Sequence, residues 1–199
     1  GLVTDYYNDI LDRPPEPGGT EYWTAEVERV MALGMDVKEG FIALGKFFFN
    51  SNEYLAKCKT NTAFVVDLYQ AFLNRTPGQS EVDYWVGYLT QGLSRNVTLN
   101  CFAYTAEFSQ YMDGIFGVGA IRPEPNLVND FYRGFLNRLP DTVGFNSYLA
   151  LMRTAQCSGP QQVRDLSGQI ALGFLRSAEY TSRNRTNAQF VEDLYDGIL

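Results

Sequence analysis

The chain has 199 residues, of which 45% are hydrophobic and 20% are charged, as in ordinary folded proteins. Its formal net charge of −7 opposes the phosphate backbone, so no nucleic-acid binding is expected. Histidine is absent, which excludes histidine-based catalysis and histidine metal ligands. No apolar run approaches the roughly 18 residues of a membrane span, so no membrane insertion is expected either.

One aromatic and aliphatic pattern recurs along the chain. Residues 64–75 (Phe-Val-Val-Asp-Leu-Tyr-Gln-Ala-Phe-Leu-Asn-Arg) match residues 127–138, which lie 63 positions further on. The pattern also occupies residues 2–13, and it begins again at residues 190–199. Its apolar residues fall at i, i+1, i+4, i+5, i+8 and i+9, which is one face of an α-helix. Each repeat therefore opens with an amphipathic helix.

Further landmarks follow this first helix in each repeat. An Arg-x-Pro sequence ends the helix, and a second helix anchored by Trp23, Trp85 or Tyr148 follows a short loop. A third helix is predicted over roughly 38–49, 94–104 and 161–176. Each unit closes with Ser-Asn-Glu-Tyr, Thr-Ala-Glu-Phe or Ser-Ala-Glu-Tyr, where Ser or Thr suits an N-cap and Glu suits the first turn. A short fourth helix is predicted to start there.

The predicted fold is therefore all-α, with tandem repeats of about 63 residues that each form a three- or four-helix bundle. The predicted boundaries are 1–60 for repeat one, 61–112 for repeat two, 113–125 for a linker, 126–186 for repeat three and 187–199 for the start of a truncated fourth repeat. Because the last repeat stops after one helix, we expect a fragment of a longer array.

These landmarks together resemble a known family. The combination Phe-Val-x-x-Leu-Tyr-x-x-Phe-Leu-x-Arg-x-Pro, Gly-x-x-Tyr-Trp and Ser-Ala-Glu-Tyr resembles the bacterial domain of unknown function DUF4214 over nearly the whole chain. The outline is also similar, more distantly, to phycobilisome linker domains. The resemblance implies a helical module, often in tandem, within large extracellular, S-layer or calcium-binding-repeat proteins of bacteria. It favours an extracellular or cell-surface location and supplies no catalytic residues.

Two charged positions recur with the repeat. One is an arginine before the Pro of each loop, and the other is a glutamate in each closing landmark. The arginines are Arg13, Arg75 and Arg138, and the glutamates are Glu53, Glu107 and Glu179. Within each repeat we predict a structural Arg–Glu pair, despite separations of 32 to 41 residues. The alternative is a polar clasp for a ligand, repeated along the array.

The loop after each arginine varies. Repeats one and three have an acid, Glu16 or Asp141, followed three residues later by Gly. Repeat two reverses this with Gly78 and Glu81, so a ligand site that needs the acid and the Gly is doubtful there.

Aromatic residues form two predicted sets. Those on or next to the apolar stripes are assigned to the repeat cores: Tyr7, Trp23, Tyr69, Trp85, Tyr132 and Tyr148, with Tyr195 in the fourth copy. Tyr22 and Tyr84 precede a tryptophan and point elsewhere on the helix, which makes them candidates for exposed contact. The alternative for the first set is a stacking platform for sugars or peptides.

No cofactor and no obligate metal are predicted. The acids Glu16 with Glu21, or Asp141, suggest a Ca²⁺ loop, but no EF-hand spacing accompanies them. The three cysteines, Cys58, Cys101 and Cys157, have no CxxC spacing and are expected to be buried free thiols.

The predicted function is a non-catalytic structural or interaction module within a larger bacterial surface or secreted protein. It would present the loops 13–20, 75–81 and 138–144 to a protein or glycan partner. The alternative is an intracellular linker or scaffold that resembles phycobilisome linker domains. An enzyme is not expected, because the chain has no histidine and no nucleophile motif.

Overall fold

The computed structural model describes residues 1–119 and 123–198, and all regular elements within these ranges are α-helices. The predicted all-α class is thus confirmed. The helices are α1 (Leu2–Leu11), α2 (Gly19–Ala32), α3 (Val37–Phe49), α4 (Asn52–Ala56), α5 (Asn61–Leu73), α6 (Gln79–Thr90), α7 (Arg95–Ala103), α8 (Ala106–Phe116), α9 (Pro123–Leu136), α10 (Thr142–Ser158), α11 (Pro160–Leu175), α12 (Ala178–Ser182) and α13 (Asn187–Ile198).

The predicted helix boundaries hold closely. α3, α7 and α11 lie within one residue of the predicted third helices at each end. The helices α4, α8 and α12 begin at the closing landmarks, where Ser51, Thr105 and Ser177 accept a hydrogen bond from the backbone N–H three residues on. These hydroxyls satisfy amides that the helix itself leaves unpaired, which explains why each helix starts there.

The chain divides into two compact units. The first comprises Gly1–Glu26 and Leu44–Gly119, and the second comprises Val27–Ala43 and the described residues of Ala120–Leu199. Helices α2 and α3 therefore contribute residues to both units.

The core of the first unit contains a network of aromatic rings among aliphatic side chains. In this core α5 packs against α1, α6, α7 and α8. Phe72 of α5 contacts the rings of Tyr6, Phe49 and Phe108 at centroid distances of 6.0, 6.2 and 5.4 Å. The contacts combine edge-on, tilted and stacked geometries, which rings prefer over a face-to-face sandwich.

The core of the second unit centres on α9. Phe131 and Phe135 of α9 are fully buried and lie 5.9 and 6.0 Å from Phe174 of α11. Val30 and Met35, from the α2–α3 segment, belong to the same buried cluster. On its other side α9 packs along α13, and the backbones approach so closely that a Cβ on Gly134 would lie 2.4 Å from the amide nitrogen of Gly197.

The predicted linker 113–125 is only partly non-helical. α8 continues to Phe116, and α9 begins at Pro123, whose fixed φ suits the first turn of a helix. Residues 117–119 are irregular, and residues 120–122 lie outside the described part of the chain.

The prediction for the cysteines was wrong. Cys58, Cys101 and Cys157 are free thiols, as expected, but all three are exposed. Cys58 occupies a left-handed turn after α4, with φ 48°. Cys101 lies on the outer side of α7, whereas Leu99 and Phe102, on the inner side of the same helix, face the core. Over residues 1–119 and 123–198, no helix is long and apolar enough to cross a bilayer.

Candidate functional site

The arginines of the three loops each follow a left-handed turn. The residues at the ends of α1, α5 and α9, namely Asp12, Asn74 and Asn137, have φ values of 52°, 49° and 53°. Asn and Asp tolerate this conformation better than other residues with a Cβ. The turn reverses the chain, so that Arg13, Arg75 and Arg138 point back toward their own repeat.

Each arginine binds the glutamate of its closing landmark through a two-pronged contact. Arg13 Nε and Nη2 donate to Glu53 Oε1 and Oε2 at 2.6 and 2.9 Å. The same atoms join Arg75 to Glu107 at 2.6 and 3.3 Å, and Arg138 to Glu179 at 2.6 and 3.0 Å. The structure thus brings together the residues that the sequence paired. The contact ties the start of each loop to the first turn of the fourth helix.

A second acid in each loop completes the contact. Arg13 Nη1 donates to Glu16 at 2.8 Å, and Arg138 Nη1 lies 3.7 Å from Asp141. In repeat two this acid is Glu81 rather than a residue at position 78. Arg75 Nη1 and Nη2 donate to both of its oxygens at 2.9 and 2.8 Å. We call the arginine with its two acids the arginine clasp of each repeat.

A buried tyrosine lies beneath each clasp. The guanidinium carbon of Arg13, Arg75 or Arg138 is 4.7 to 5.1 Å from the ring centroid of the tyrosine six residues earlier. This is the range of cation–π attraction. The hydroxyls of Tyr7 and Tyr132 donate to Glu16 and Asp141 at 2.9 and 3.3 Å. The tyrosine therefore positions both the cation and the loop acid.

The exchange of acid and glycine in repeat two has a steric reason. A Cβ on Gly19 would lie 2.9 Å from the hydroxyl of Tyr7, and a Cβ on Gly144 would lie 2.0 Å from that of Tyr132. In repeat two the corresponding position holds Glu81, whose own carboxylate accepts from the N–H of Gly78 at 2.7 Å. Repeat two has no acid at position 78, which made a ligand site in this loop doubtful. Glu81, three residues further on, supplies the acid that binds Arg75.

Glu16, Glu81, Glu53 and Glu179 of the clasps are held in their charged form by lowered pKa values. The hydrogen bond from Arg13 lowers the pKa of Glu16 to about 2, and that from Arg75 lowers the pKa of Glu81 to about 2. Arg13 and Arg138 likewise lower the pKa values of Glu53 and Glu179. A catalytic acid needs a pKa near the working pH, so these groups are suited to holding the loop and not to transferring protons.

The aromatic residues divide between core and surface. Tyr7, Tyr69 and Tyr132 are buried, and each meets a phenylalanine of the third helix edge-on at 4.8 to 4.9 Å. The second-helix aromatics assigned to the core are only half-buried, because they pack over that phenylalanine at the rim of the unit: Trp23, Trp85 and Tyr148.

Tyr22 and Tyr84 lie on the surface beside the loops. They are 59% and 57% exposed, and each ring meets the following tryptophan edge-on at 5.1 and 5.3 Å. Tyr88 lies 5.0 Å from Tyr84, one turn further along α6, and extends this aromatic surface in repeat two.

The sequence pattern did not predict a buried polar junction between helices. The hydroxyl of Tyr54, at the end of repeat one, donates to Asp67 of α5 at 2.8 Å, and Lys59 lies 2.8 Å from the same carboxylate. Tyr180 and Arg185 bind Asp193 of α13 in the same way, with distances of 2.9, 2.8 and 2.7 Å. We call each Tyr–Asp–base set a docking junction.

A signal for the junctions was present in the sequence. The Asp recurs at one position of every first helix, at residues 5, 67, 130 and 193, and a base stands five residues after the closing tyrosine. Repeat two ends instead with Phe108, which has no hydroxyl, and has Asp113 in place of the base. The corresponding Asp130 pairs with Arg133 of its own helix at 2.7 Å.

One further carboxyl has unusual electrostatics. Burial of Glu39 in the second unit raises its pKa to about 7, and the charges of Asp130 and Asp36 act in the same direction, whereas Arg133 opposes them. Over the described ranges, no group of three or more Cys, Asp or Glu side chains is arranged to hold a metal ion.

Over the described residues the protein is all-helical, and an arginine clasp fixes three of its inter-helix loops, those that follow α1, α5 and α9. Residues 46–112 match the model of a family described as a domain of unknown function (DUF4214). The match confirms the resemblance for this segment, which begins within α3, ends within α8 and includes the junction at Asp67. Comparison with curated proteins and with solved structures gave no significant match.

Proposed function

We propose that the chain is a non-catalytic structural or interaction module that presents its inter-helix loops to a protein or glycan partner. The observation that carries the proposal is the arginine clasp, whose contact between the arginine and the glutamate of the closing landmark is the same in all three loops. Exposed loops usually pay an entropic cost when they are ordered by a partner. A loop that is already fixed avoids much of that cost.

The surface next to the loops supports a binding role. Tyr22 and Tyr84 expose rings within the first two turns of α2 and α6, shortly after the clasped segments. An aromatic ring with a free face can stack on a sugar or a peptide, and its hydroxyl can bond to polar groups. The loop of repeat three differs, because Arg29 donates to the carbonyl of Pro140 at 2.9 Å. We therefore assign the principal contacts to the loops of repeats one and two.

We also propose that the chain consists of tandem copies of one helical module and belongs to a larger bacterial surface or secreted protein. The match at residues 46–112, the recurring landmarks on both sides of it and the family resemblance support this proposal. The lowered pKa values of Glu16 and Glu81 support a non-catalytic role for these two clasp carboxylates.

The test is a glycan array, combined with a pull-down from the source organism, using the wild-type chain and three variants. Tyr84→Ala removes the exposed ring, and Arg75→Gln removes the clasp of the same loop. Gln162→Ala, on the exposed side of α11, is the control. We expect the first two variants to lose binding and the control to retain it. Binding that survives both loop changes, or turnover of a bound glycan, would contradict the proposal.

A further inference from the structure

One face of α13 is apolar and exposed. Its members lie on a single helical stripe and are 38% to 60% exposed: Phe190, Val191, Tyr195 and Ile198. We call this set the α13 face. Asp193, on the opposite side of the helix, is buried, and Gly197, which borders Phe190 on the helix surface, is buried against Phe135 of α9. Tyr195 is exposed, so its assignment to the core was wrong. The equivalent tyrosines, Tyr69 and Tyr132, are buried beneath helices that follow them in the chain.

The equivalent positions of α5 show what such a face contacts when it is covered. Phe64, Val65, Tyr69 and Phe72 are all buried. Phe102 of α7 meets Tyr69 edge-on at 4.8 Å, Trp85 of α6 packs on Phe102 at 5.2 Å, and Phe108 of α8 meets Phe72 at 5.4 Å. Three successive helices thus contribute one aromatic ring each.

The second unit repeats this cover on α9. Phe174 of α11 meets Tyr132 edge-on at 4.9 Å, with Tyr148 of α10 packed on Phe174 at 5.3 Å. Tyr180 of α12 meets Phe135 at 6.1 Å, with the rings perpendicular. The pattern of rings is therefore the same in both units, although Tyr replaces Trp on the second helix.

The docking of α13 matches that of α5. In each helix the recurring Asp accepts from the tyrosine thirteen residues earlier and pairs with the base eight residues earlier. A docking junction therefore holds α13 by its inner side. The side that remains is the one that α5 uses to bind α6, α7 and α8.

We propose that the α13 face is the docking surface for a three-helix segment with the aromatic pattern of α6–α8. This partner brings a Phe from its second helix against Tyr195, a Trp or Tyr from its first helix behind that Phe, and an aromatic ring from its third helix against Ile198. The face selects this partner by ring geometry, since Tyr69 and Tyr132, which are equivalent to Tyr195, each have an edge-on phenylalanine neighbour. The inference does not depend on the function proposed for the loops.

The test extends the full chain with a copy of residues 74–116 placed after Leu199, the repeat position of Leu73. A matched control carries the same extension with Ala at the copied positions of Trp85, Phe102 and Phe108. Amide hydrogen exchange is measured across α13 in both proteins. We expect exchange in α13 to be at least about tenfold slower with the aromatic extension than with its Ala control. Equal exchange in the two proteins would overturn the proposal.

Two measurements on the unextended chain complete the test. A hydrophobic fluorescent dye should bind the wild type, and the Val191→Ser/Tyr195→Ser double variant should lose most of that binding while keeping its helical circular dichroism. Unchanged dye binding would overturn the proposal even if the extended proteins failed to fold. Analytical ultracentrifugation should show a monomer. A dimer that the double variant abolishes would assign the face to a second copy and would also overturn the proposal.

Discussion

Arg75 and Glu81 form a two-pronged ion pair across six residues, with distances of 2.9 and 2.8 Å, where the other repeats use an acid three residues from the arginine. The position that holds Glu81 in repeat two is Gly in repeats one and three, where a Cβ would meet the tyrosine hydroxyl. The clasp therefore occurs in two arrangements. Repeats one and three have an acid followed three residues later by Gly, and repeat two has Gly followed three residues later by an acid. We expect the two positions of each arrangement to depend on each other.

This relationship predicts non-additive effects in repeat three. Asp141→Gly alone removes the side-chain N-cap of α10 and an acid near Arg138, and replacement of an N-cap by Gly costs about a few tenths of a kcal/mol. Gly144→Glu alone places a Cβ against Tyr132. The double variant reproduces the arrangement of repeat two, so its loss should be smaller than the sum of the single losses by about 1 kcal/mol. A double-mutant cycle from urea unfolding measures this coupling, and simple additivity would refute it.

The docking junction predicts a selective effect of a single hydroxyl. Tyr180→Phe leaves the buried carboxylate of Asp193 with one donor fewer, which should cost about 1–2 kcal/mol of unfolding free energy. Tyr22→Phe is the control, because its hydroxyl is on the surface, and it should change the stability by less than about 0.5 kcal/mol. Equal effects of the two substitutions would show that the hydroxyl of Tyr180 does not support the junction.

Glu39 predicts a pH dependence with a defined sign. The pKa of Glu39 rises from 4.5 to about 7 in the folded chain, so the folded state binds its proton more tightly than the unfolded state does. Stability should therefore fall as the pH rises from about 4.5 to 7, by at most roughly 3 kcal/mol from this group. Glu16 and Glu81 have lowered pKa values of about 2, and their contribution is lost only below pH 4.5.

Glu39→Gln isolates this contribution. The amide has nearly the same shape and carries no charge, so the variant should be more stable than the wild type at pH 8 and similar to it at pH 4.5. Thermal melts at both values give the comparison. A wild-type advantage at pH 8 would mean that the charged form of Glu39 is stabilised by its surroundings.

The crossing of α9 and α13 predicts opposite outcomes for two glycines. Gly134→Ala places a methyl group 2.4 Å from the backbone of Gly197, and overpacking of this kind costs about 1–3 kcal/mol. Gly173→Ala, in α11, meets no atom within 4 Å and should gain up to about 1 kcal/mol from helix propensity. The midpoints of thermal unfolding should move in opposite directions. A neutral Gly134→Ala would mean that the two helices are not in backbone contact.

Much of this architecture was predictable from one sequence. Helix starts and ends depend on local features such as the hydroxyl of Ser51 and the proline after Arg13, and those features are visible in the chain. The Arg–Glu pairs were also predictable, because both members recur once in each repeat. The acid supplied by Glu81 was missed, because its role depends on where the hydroxyl of the buried tyrosine lies.

The remaining errors share a physical cause. Burial depends on what packs over a residue, and the sequence pattern of one helix does not show its cover. Cys101 and Trp85 lie on amphipathic helices near the rim of their unit, so the periodicity alone could not assign their exposure. The docking junctions join residues of different helices, and the recurring Asp becomes informative only when its partner is known.

The central claim is that an arginine clasp holds each loop in one conformation before any partner binds. Backbone order parameters from ¹⁵N relaxation test it most directly, at the amides of Thr76 and Gly78 in the wild type and in Arg75→Gln. We predict wild-type values of about 0.85, as in rigid helices, and a fall toward about 0.6 in the variant, with the loops of repeats one and three unchanged. Values below about 0.6 in the wild type, or no change in the variant, would contradict the claim.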